Sequence, residues 1–110
     1  MYANTIKEIE APELALWVSN AGNKLRVIDV RQPQEIAMGT VPNAEALPLH
    51  TLPERMHELS PAEKLVFICR SGARSAQACM FLQQNGFSDV YNLRGGMMGW
   101  MRHGLPMGRV

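Results

Sequence analysis

The residues best suited to chemistry lie in one short stretch, residues 69–75, with the sequence Cys-Arg-Ser-Gly-Ala-Arg-Ser. A continuously apolar run at 65–68 precedes it, and a segment of helical character at 75–85 follows it. The apolar run is typical of a parallel strand covered on both faces. A cysteine between such a strand and the positive end of a helix is well placed to react as a thiolate. The stretch therefore predicts a nucleophilic thiol at Cys69.

The residues after Cys69 have the composition of a tight anion-binding loop. Because few residues separate strand from helix, successive backbone N–H groups tend to converge on one point. Gly72 permits the unusual backbone angles of such a turn, and Arg70 and Arg74 add two positive charges that should lower the pKa of an exposed thiol. We therefore predict Cys69 as the catalytic residue. The predicted substrate-binding residues are Arg70, Ser71, Gly72, Ala73 and Arg74.

Cys79, ten residues further on, is the contrasting case. It lies inside the predicted helix among apolar neighbours, with no arginine beside it, which is typical of a core cysteine. About ten helical residues would separate the two thiols by roughly 15 Å, so we expect no disulfide between them. Two cysteines in 110 residues do not make a disulfide scaffold, and they favour a reducing compartment.

Apolar periodicity predicts the elements that must position this loop. Strands are indicated at 25–30, 65–68 and 89–92, with shorter pieces at 5–9 and 46–47. Helices are indicated between them: one from Pro12 that Gly22 ends, short ones at 33–39 and 52–59, a longer one at 75–85, and a last one that contains Trp100. The alternation predicts an α/β fold, with a doubly wound, mainly parallel sheet of four or five strands and helices on both faces.

Glycines near the end of the chain carry two specific expectations. Gly86 should end the long helix, with Phe87 placed to contact Leu82 in a Schellman cap. Gly95 and Gly96 should let the backbone pass close beside another segment. We expect that segment to be residues 69–74, called the cysteine loop below.

Three charged residues fall at or just after the end of the predicted strand at 25–30: Asp29, Arg31 and Glu35. If the strands are parallel, these residues share a rim with Cys69. Charged groups that order loops are commoner than catalytic ones. We therefore expect a structural cluster of ion pairs and caps here rather than direct catalysis.

Length and charge exclude several function classes. A chain of 110 residues predicts one domain, 1–110. Eleven Lys and Arg against ten Asp and Glu give a net charge of +1, which argues against a nucleic-acid surface. The N-terminus lacks the basic start and apolar segment of a signal peptide, and no apolar run is long enough to span a membrane. We predict a cytoplasmic protein. The histidines fit no metal-site spacing and are expected at the surface: His50, His57 and His103.

Residues 69–74 resemble the active-site loop of the rhodanese sulfurtransferases, and the resemblance extends along most of the chain. The segment 27–31 with Glu35 is similar to the family's Asp-Val-Arg segment, and 39–44 to its Gly-His-Ile-Pro-Gly-Ala turn. Its C-terminal signature is matched by Gly86-Phe87, Gly95-Gly96, Trp100, Gly104 and Pro106. Thr40 replaces the family's usual histidine and Asn43 its usual glycine, and asparagine tolerates the left-handed conformation of such a turn.

The resemblance implies a sulfurtransferase that carries sulfur as a persulfide on Cys69. The sulfane sulfur would come from thiosulfate or another persulfide donor and would pass to cyanide or a thiol acceptor. The resemblance implies no metal, nucleotide or flavin cofactor. A protein that accepts sulfur is a further candidate partner, and neither nucleic acid nor a membrane is expected as one.

Two other functions remain open. Cysteine-dependent phosphatases and arsenate reductases use a related loop, with one more residue between cysteine and arginine so that it fits a tetrahedral oxyanion. Here Arg74 follows Cys69 by five positions, the shorter arrangement that is similar to the sulfur-transfer class. A non-catalytic rhodanese-like binding module is the second alternative, and it usually lacks the cysteine that this chain retains.

Overall fold

Five short segments form one parallel β-sheet in the computed structural model of this chain, which describes residues 6–20 and 24–110. The strands are β1 (Lys7–Ile9), β2 (Leu25–Asp29), β3 (Glu45–Ala46), β4 (Lys64–Ile68) and β5 (Val90–Leu93). Their order across the sheet is β1-β5-β4-β2-β3, and each neighbouring pair is parallel. The predicted parallel sheet is therefore confirmed, with five strands.

Helices cover both faces of this sheet. In the described residues they are α1 (Ala11–Ser19), α2 (Pro33–Ile36), α3 (Leu52–Arg55), α4 (Ala73–Gln83) and α5 (Gly96–Arg102). Along β4, Phe67 packs into a cluster with α3 and α4, whereas Val66 packs into a second cluster with α1 and α5. This alternation is what a strand buried on both faces produces. No helix of the described part of the chain is long and apolar enough to cross a membrane.

The element boundaries differ from the prediction at several ends. The long helix α4 begins at Ala73 rather than at residue 75 and ends at Gln83 rather than at residue 85. The predicted cap is present: Gly86 has a φ of +90°, and the Phe87 N–H donates to the Leu82 carbonyl at 3.0 Å. The predicted helix at 52–59 is divided into α3 and a 3₁₀ turn at Met56–Glu58, and another 3₁₀ turn, Leu49–Thr51, precedes it. Gly22, the predicted end of α1, lies outside the described residues.

The parallel register brings the carboxyl ends of β2 and β4 side by side. Asp29 pairs with Ile68 at the last position of both strands, and the Val30 N–H donates to the Ile68 carbonyl at 3.0 Å. The segments that follow the two strands therefore leave the sheet at one edge. This placement puts the charged residues after β2 on the same rim as Cys69, as the sequence predicted.

Candidate active site

Cys69 is the first residue after β4, and α4 begins only four residues later. Gly72 makes this short connection possible because its φ of +106° is one that residues with side chains rarely adopt. Gly72 precedes the first turn of α4, where backbone N–H groups have no partners within the helix. These N–H groups are available to whatever lies inside the loop.

The Cys69 thiol is the group that they bind. The Gly72 N–H donates to Cys69 Sγ at 3.1 Å, and the Ser75 hydroxyl lies 3.4 Å from the same sulfur. Burial alone would raise the pKa of the thiol. Hydrogen bonds from the Ser75 hydroxyl and from the N–H groups of Ser75, Gly72 and Ser71 outweigh it and lower the pKa below its ordinary value. The site therefore favours a thiolate.

One expectation about this thiol is wrong. Cys69 is 1% exposed rather than open to solvent, and it belongs to the buried cluster that includes residues of α3 and α4. Its pKa is lowered as predicted: the converging N–H groups of the loop and the Ser75 hydroxyl have the larger effect, and the charge of Arg74 has a smaller one. The loop therefore acts on the sulfur mainly through short-range dipoles.

A buried polar network behind the loop was not foreseen from the sequence. Ser75 and Asn92 are 0% and 2% exposed, and the Ser75 hydroxyl is hydrogen-bonded to Asn92 Oδ1. Asn92 Nδ2 donates to Glu8 Oε2 at 3.0 Å and to the Gly72 carbonyl at 3.2 Å. Ser75 has one hydroxyl proton, which can turn toward Asn92 or toward Cys69. The sequence feature that could have revealed this network is Asn92, a polar residue within a largely buried strand.

The charged residues of the rim form two separate ion pairs. Asp29 is fully buried, and its carboxylate accepts from the Arg31 guanidinium at 2.8 Å and from the Thr40 hydroxyl at 2.7 Å. Arg31 also donates to the Gly39 carbonyl at 2.7 Å. The expected structural role of Asp29 and Arg31 therefore matches the geometry, and Thr40 fills the position of the family's histidine with a hydrogen bond of its own. Asn43 has a φ of +68°, the left-handed conformation expected of it.

Glu35 takes part in the second pair rather than in the Asp29 cluster. Its two carboxylate oxygens accept from the two terminal nitrogens of Arg74 at 2.9 and 3.0 Å, which ties α2 to the cysteine loop. Arg70 is exposed, and within residues 6–20 and 24–110 its side chain forms no salt bridge. The charge of Arg74 is therefore balanced by a carboxylate, whereas the charge of Arg70 is not.

The segment after β5 supports the loop from the other side, as predicted. Gly96 has a φ of +56°, and a Cβ atom there would lie 2.5 Å from the carbonyl oxygens of both Cys69 and Arg70. The Met97 N–H donates to the Cys69 carbonyl at 2.8 Å, and the Met98 N–H to the Arg70 carbonyl at 3.0 Å. Only a glycine at position 96 allows this close approach, so α5 fixes the backbone that presents the thiol.

The other candidate groups lie apart from this site. Cys79 is fully buried within α4, where burial and the charge of Glu8 raise the pKa of its thiol to about 12. Both cysteines are free. The three histidines occupy exposed positions, and the described residues contain no group of three or more His, Cys, Asp or Glu side chains that could hold a metal ion.

Comparisons with known proteins identify relatives of this chain. The Rhodanese-like domain profile matches residues 11–103. A sulfurtransferase of Allochromatium vinosum is 45% identical over 102 residues, covering 93% of this chain and 94% of that protein. A thiosulfate sulfurtransferase of Stutzerimonas stutzeri is 35% identical, covering 86% and 84%. The crystal structure of a rhodanese-like domain protein from Staphylococcus aureus superposes with a TM-score of 0.80 at 34% identity, covering 86% and 91%. These relatives support a sulfur transfer of the rhodanese type, and the chain belongs to the rhodanese-like domain family.

Proposed function

We propose that this protein is a sulfurtransferase that carries sulfane sulfur as a persulfide on Cys69. The observation that carries the proposal is the set of hydrogen-bond donors around Cys69 Sγ, which favours a thiolate in a buried site. A thiolate held in this way suits attack on a sulfur atom that bears an anionic leaving group. Thiosulfate is such a donor, as is a low-molecular-weight or protein persulfide, and the 35% identical relative is named for thiosulfate.

The proposed reaction has two steps. In the first, a lone pair of the Cys69 thiolate attacks the outer sulfur of thiosulfate, the S–S bond of the donor breaks, and sulfite leaves with the bonding electrons. Cys69 then carries a persulfide anion. In the second, cyanide or an acceptor thiolate attacks the outer sulfur of the persulfide, and the Cys69 thiolate is released. Charge balances in each step, and no oxidant, reductant or cofactor is required.

The loop residues divide the remaining work. The backbone N–H groups around Ser71, Gly72 and Ala73 would hold the negative charge that the persulfide carries. Arg70, exposed at the mouth, would attract the anionic donor and stabilise charge on the departing group. Arg74 would line the same mouth while its salt bridge to Glu35 fixes the loop. Two free thiols suit a reducing compartment, so we place the reaction in the cytoplasm.

Intact mass spectrometry after incubation with thiosulfate tests the proposal. The protein should become heavier by one sulfur atom, and added cyanide should restore its mass and release thiocyanate. The Cys69→Ser variant should never load, because a hydroxyl at neutral pH is too weak a nucleophile toward sulfur. The Cys79→Ser variant should load like the wild type.

Other outcomes separate the alternatives. Loading from an alkyl persulfide but not from thiosulfate would keep the sulfurtransferase and change its donor. Hydrolysis of an aryl phosphate without any loading would replace it with a cysteine-dependent phosphatase. The absence of both reactions would favour a binding module.

A further inference from the structure

The arginines around the cysteine loop contribute less positive charge than their number suggests. Arg31 is paired with the buried carboxylate of Asp29, and Arg74 with Glu35. Arg70 has no such partner among residues 6–20 and 24–110. Each ion pair sums to zero charge, so of these three arginines only Arg70 brings an uncompensated positive charge to the site.

The pairing of Arg74 with Glu35 is persistent at neutral pH. The two side chains meet through two parallel hydrogen bonds of 2.9 and 3.0 Å, the geometry in which guanidinium and carboxylate match best. The Arg74 guanidinium is the main cause that lowers the pKa of Glu35 to about 2, so the carboxylate stays ionised. Both side chains are about one-third exposed, at 35% and 33%, which leaves their field within reach of a bound donor.

We propose that Glu35 sets the charge of the sulfur donor. By neutralising Arg74 beside the cysteine loop, it adapts the site to donors with a single negative charge, such as alkyl persulfide or thiosulfonate anions, and disfavours dianionic thiosulfate. The inference rests on the proposed function, because it concerns the donor of the same persulfide-forming step. Glu35 acts here through charge and does not touch the reacting sulfur atoms.

Two donors that differ by one charge isolate this effect. Thiosulfate and methanethiosulfonate both transfer a terminal sulfur, and the second has a methyl group in place of one oxygen. In either case the Cys69 thiolate attacks the outer sulfur, the S–S bond breaks, and sulfite or methanesulfinate leaves with the electron pair. Changes in the nucleophile affect both donors. A change in the nucleophilicity of Cys69 therefore cancels when kcat/KM for thiosulfate is divided by kcat/KM for methanethiosulfonate.

The test compares this ratio in the full-length wild type and in variants, with cyanide as acceptor. Glu35→Gln removes the neutralising charge and keeps the shape of the side chain. We expect the ratio to rise about three- to tenfold at low ionic strength, and the rise to shrink as salt is added. Glu58→Gln is the matched control, since Glu58 forms a similar pair with Arg55 elsewhere on the surface, and its ratio should not change.

Arg74→Gln should lower the ratio, because it leaves the negative charge of Glu35 unopposed. The double variant Glu35→Gln/Arg74→Gln restores a neutral pair of side chains, so its ratio should return close to the wild-type value. A ratio that stays low in the double variant would mean that Arg74 binds the dianion directly, and it would overturn the inference. Far-ultraviolet circular dichroism checks that each variant is folded.

The failure of this inference and that of the proposed function are distinguishable. If every protein loads sulfur and the ratio is the same in the wild type and in Glu35→Gln, Glu35 does not set donor charge and the sulfurtransferase stands. If no donor loads Cys69 in the wild type, both proposals fall.

Discussion

Cys69 and Cys79 contribute to the same apolar cluster and are 1% and 0% exposed, yet the pKa values of their thiols are shifted in opposite directions. Burial raises the pKa in both places. At Cys69 the effect is reversed because unpaired N–H groups at the start of α4, with the Ser75 hydroxyl, converge on the sulfur. At Cys79, in the middle of the same helix, comparable N–H groups are used by the helix itself.

The difference shows that burial alone does not determine the reactivity of a cysteine. What distinguishes the two thiols is the direction of the nearby backbone dipoles, which depends on whether the residue lies before a helix or inside it. A buried thiolate costs free energy unless donors compensate for lost water. The Cys69 loop supplies those donors, and the interior of α4 does not.

The largest expected effect is in alkylation. At pH 7.5 a thiol with a pKa of about 12 is ionised to only roughly 3 parts in 100,000, so Cys79 should be almost inert. We expect iodoacetamide to modify Cys69 faster by on the order of 10³-fold or more, measured by peptide mapping over time. Both residues are at most 1% exposed, so surface exposure alone does not explain such a ratio. Earlier labelling of Cys79 would refute the account of the two thiols.

The next effect comes from disturbing the support of the loop. Gly96→Ala places a Cβ atom where the Cys69 and Arg70 carbonyls now lie, so the loop must move. We expect kcat/KM for sulfur transfer to fall about 10²-fold, since a shift of about 1 Å at a reacting group can have that effect. The free energy of unfolding should fall by about 2–4 kcal/mol, from strain and overpacking together.

Gly104→Ala is the matched control for this change. Gly104 has a φ of +66°, close to that of Gly96, but nothing lies within 4 Å of its added Cβ atom. This variant should lose only about 1 kcal/mol of stability and keep its activity. Equal losses of activity in the two variants would show that backbone strain, rather than contact with the loop, is responsible.

A smaller effect is expected from Ser75→Ala, which removes the side-chain donor to Cys69 and leaves the backbone donors in place. The pKa of the Cys69 thiol should rise toward its ordinary value, so the pH profile of alkylation should move to higher pH and the rate near neutral pH should fall about tenfold. Ser71→Ala keeps the Ser71 N–H and loses an exposed hydroxyl, so its profile should match the wild type. If the pH profiles of alkylation coincide for the wild type, Ser75→Ala and Ser71→Ala, the Ser75 hydroxyl does not lower the pKa of the Cys69 thiol.

The smallest effect on chemistry is expected at Cys79. Cys79→Ala removes a buried sulfur and should lower the free energy of unfolding by about 1–2 kcal/mol. The melting temperature would then fall by several degrees. The extent and rate of sulfur loading should be unchanged. A change in loading rate would mean that the interior of α4 influences the loop and that the two cysteines are not independent.

The sequence predicted the parts of this site that depend on neighbouring residues. The apolar run of β4, Gly72 and the following helix are consecutive, so their order alone places Cys69 at a strand end before a helix. The cap at Gly86 was predictable for the same reason. The close approach of Gly96 to the cysteine loop was anticipated as well, whereas the hydrogen bonds from Met97 and Met98 were not, because they depend on how the segment after β5 docks.

The remaining features arise from tertiary packing. Glu35 and Arg74 are 39 residues apart, and Ser75 and Asn92 are 17 apart, so no local pattern pairs them. The burial of Cys69 was not predicted, because it depends on how the helices on that face of the sheet pack together. The converging N–H groups of the loop were predictable from the short connection and Gly72, whereas the hydrogen bond from the Ser75 hydroxyl was not, because its direction depends on packing.

The hydrogen bonds from Met97 and Met98 to the loop also have a consequence for biosynthesis. A ribosome makes the loop before it makes residues 96–98, so the emerging chain contains the cysteine but lacks the contacts that hold the loop's carbonyl groups. The thiol should therefore gain its full nucleophilicity only after the segment that follows β5 has left the exit tunnel and docked. During synthesis this delay would limit sulfur chemistry on unfinished chains. The rate at which the thiol is modified would report when the segment after β5 docks against the loop.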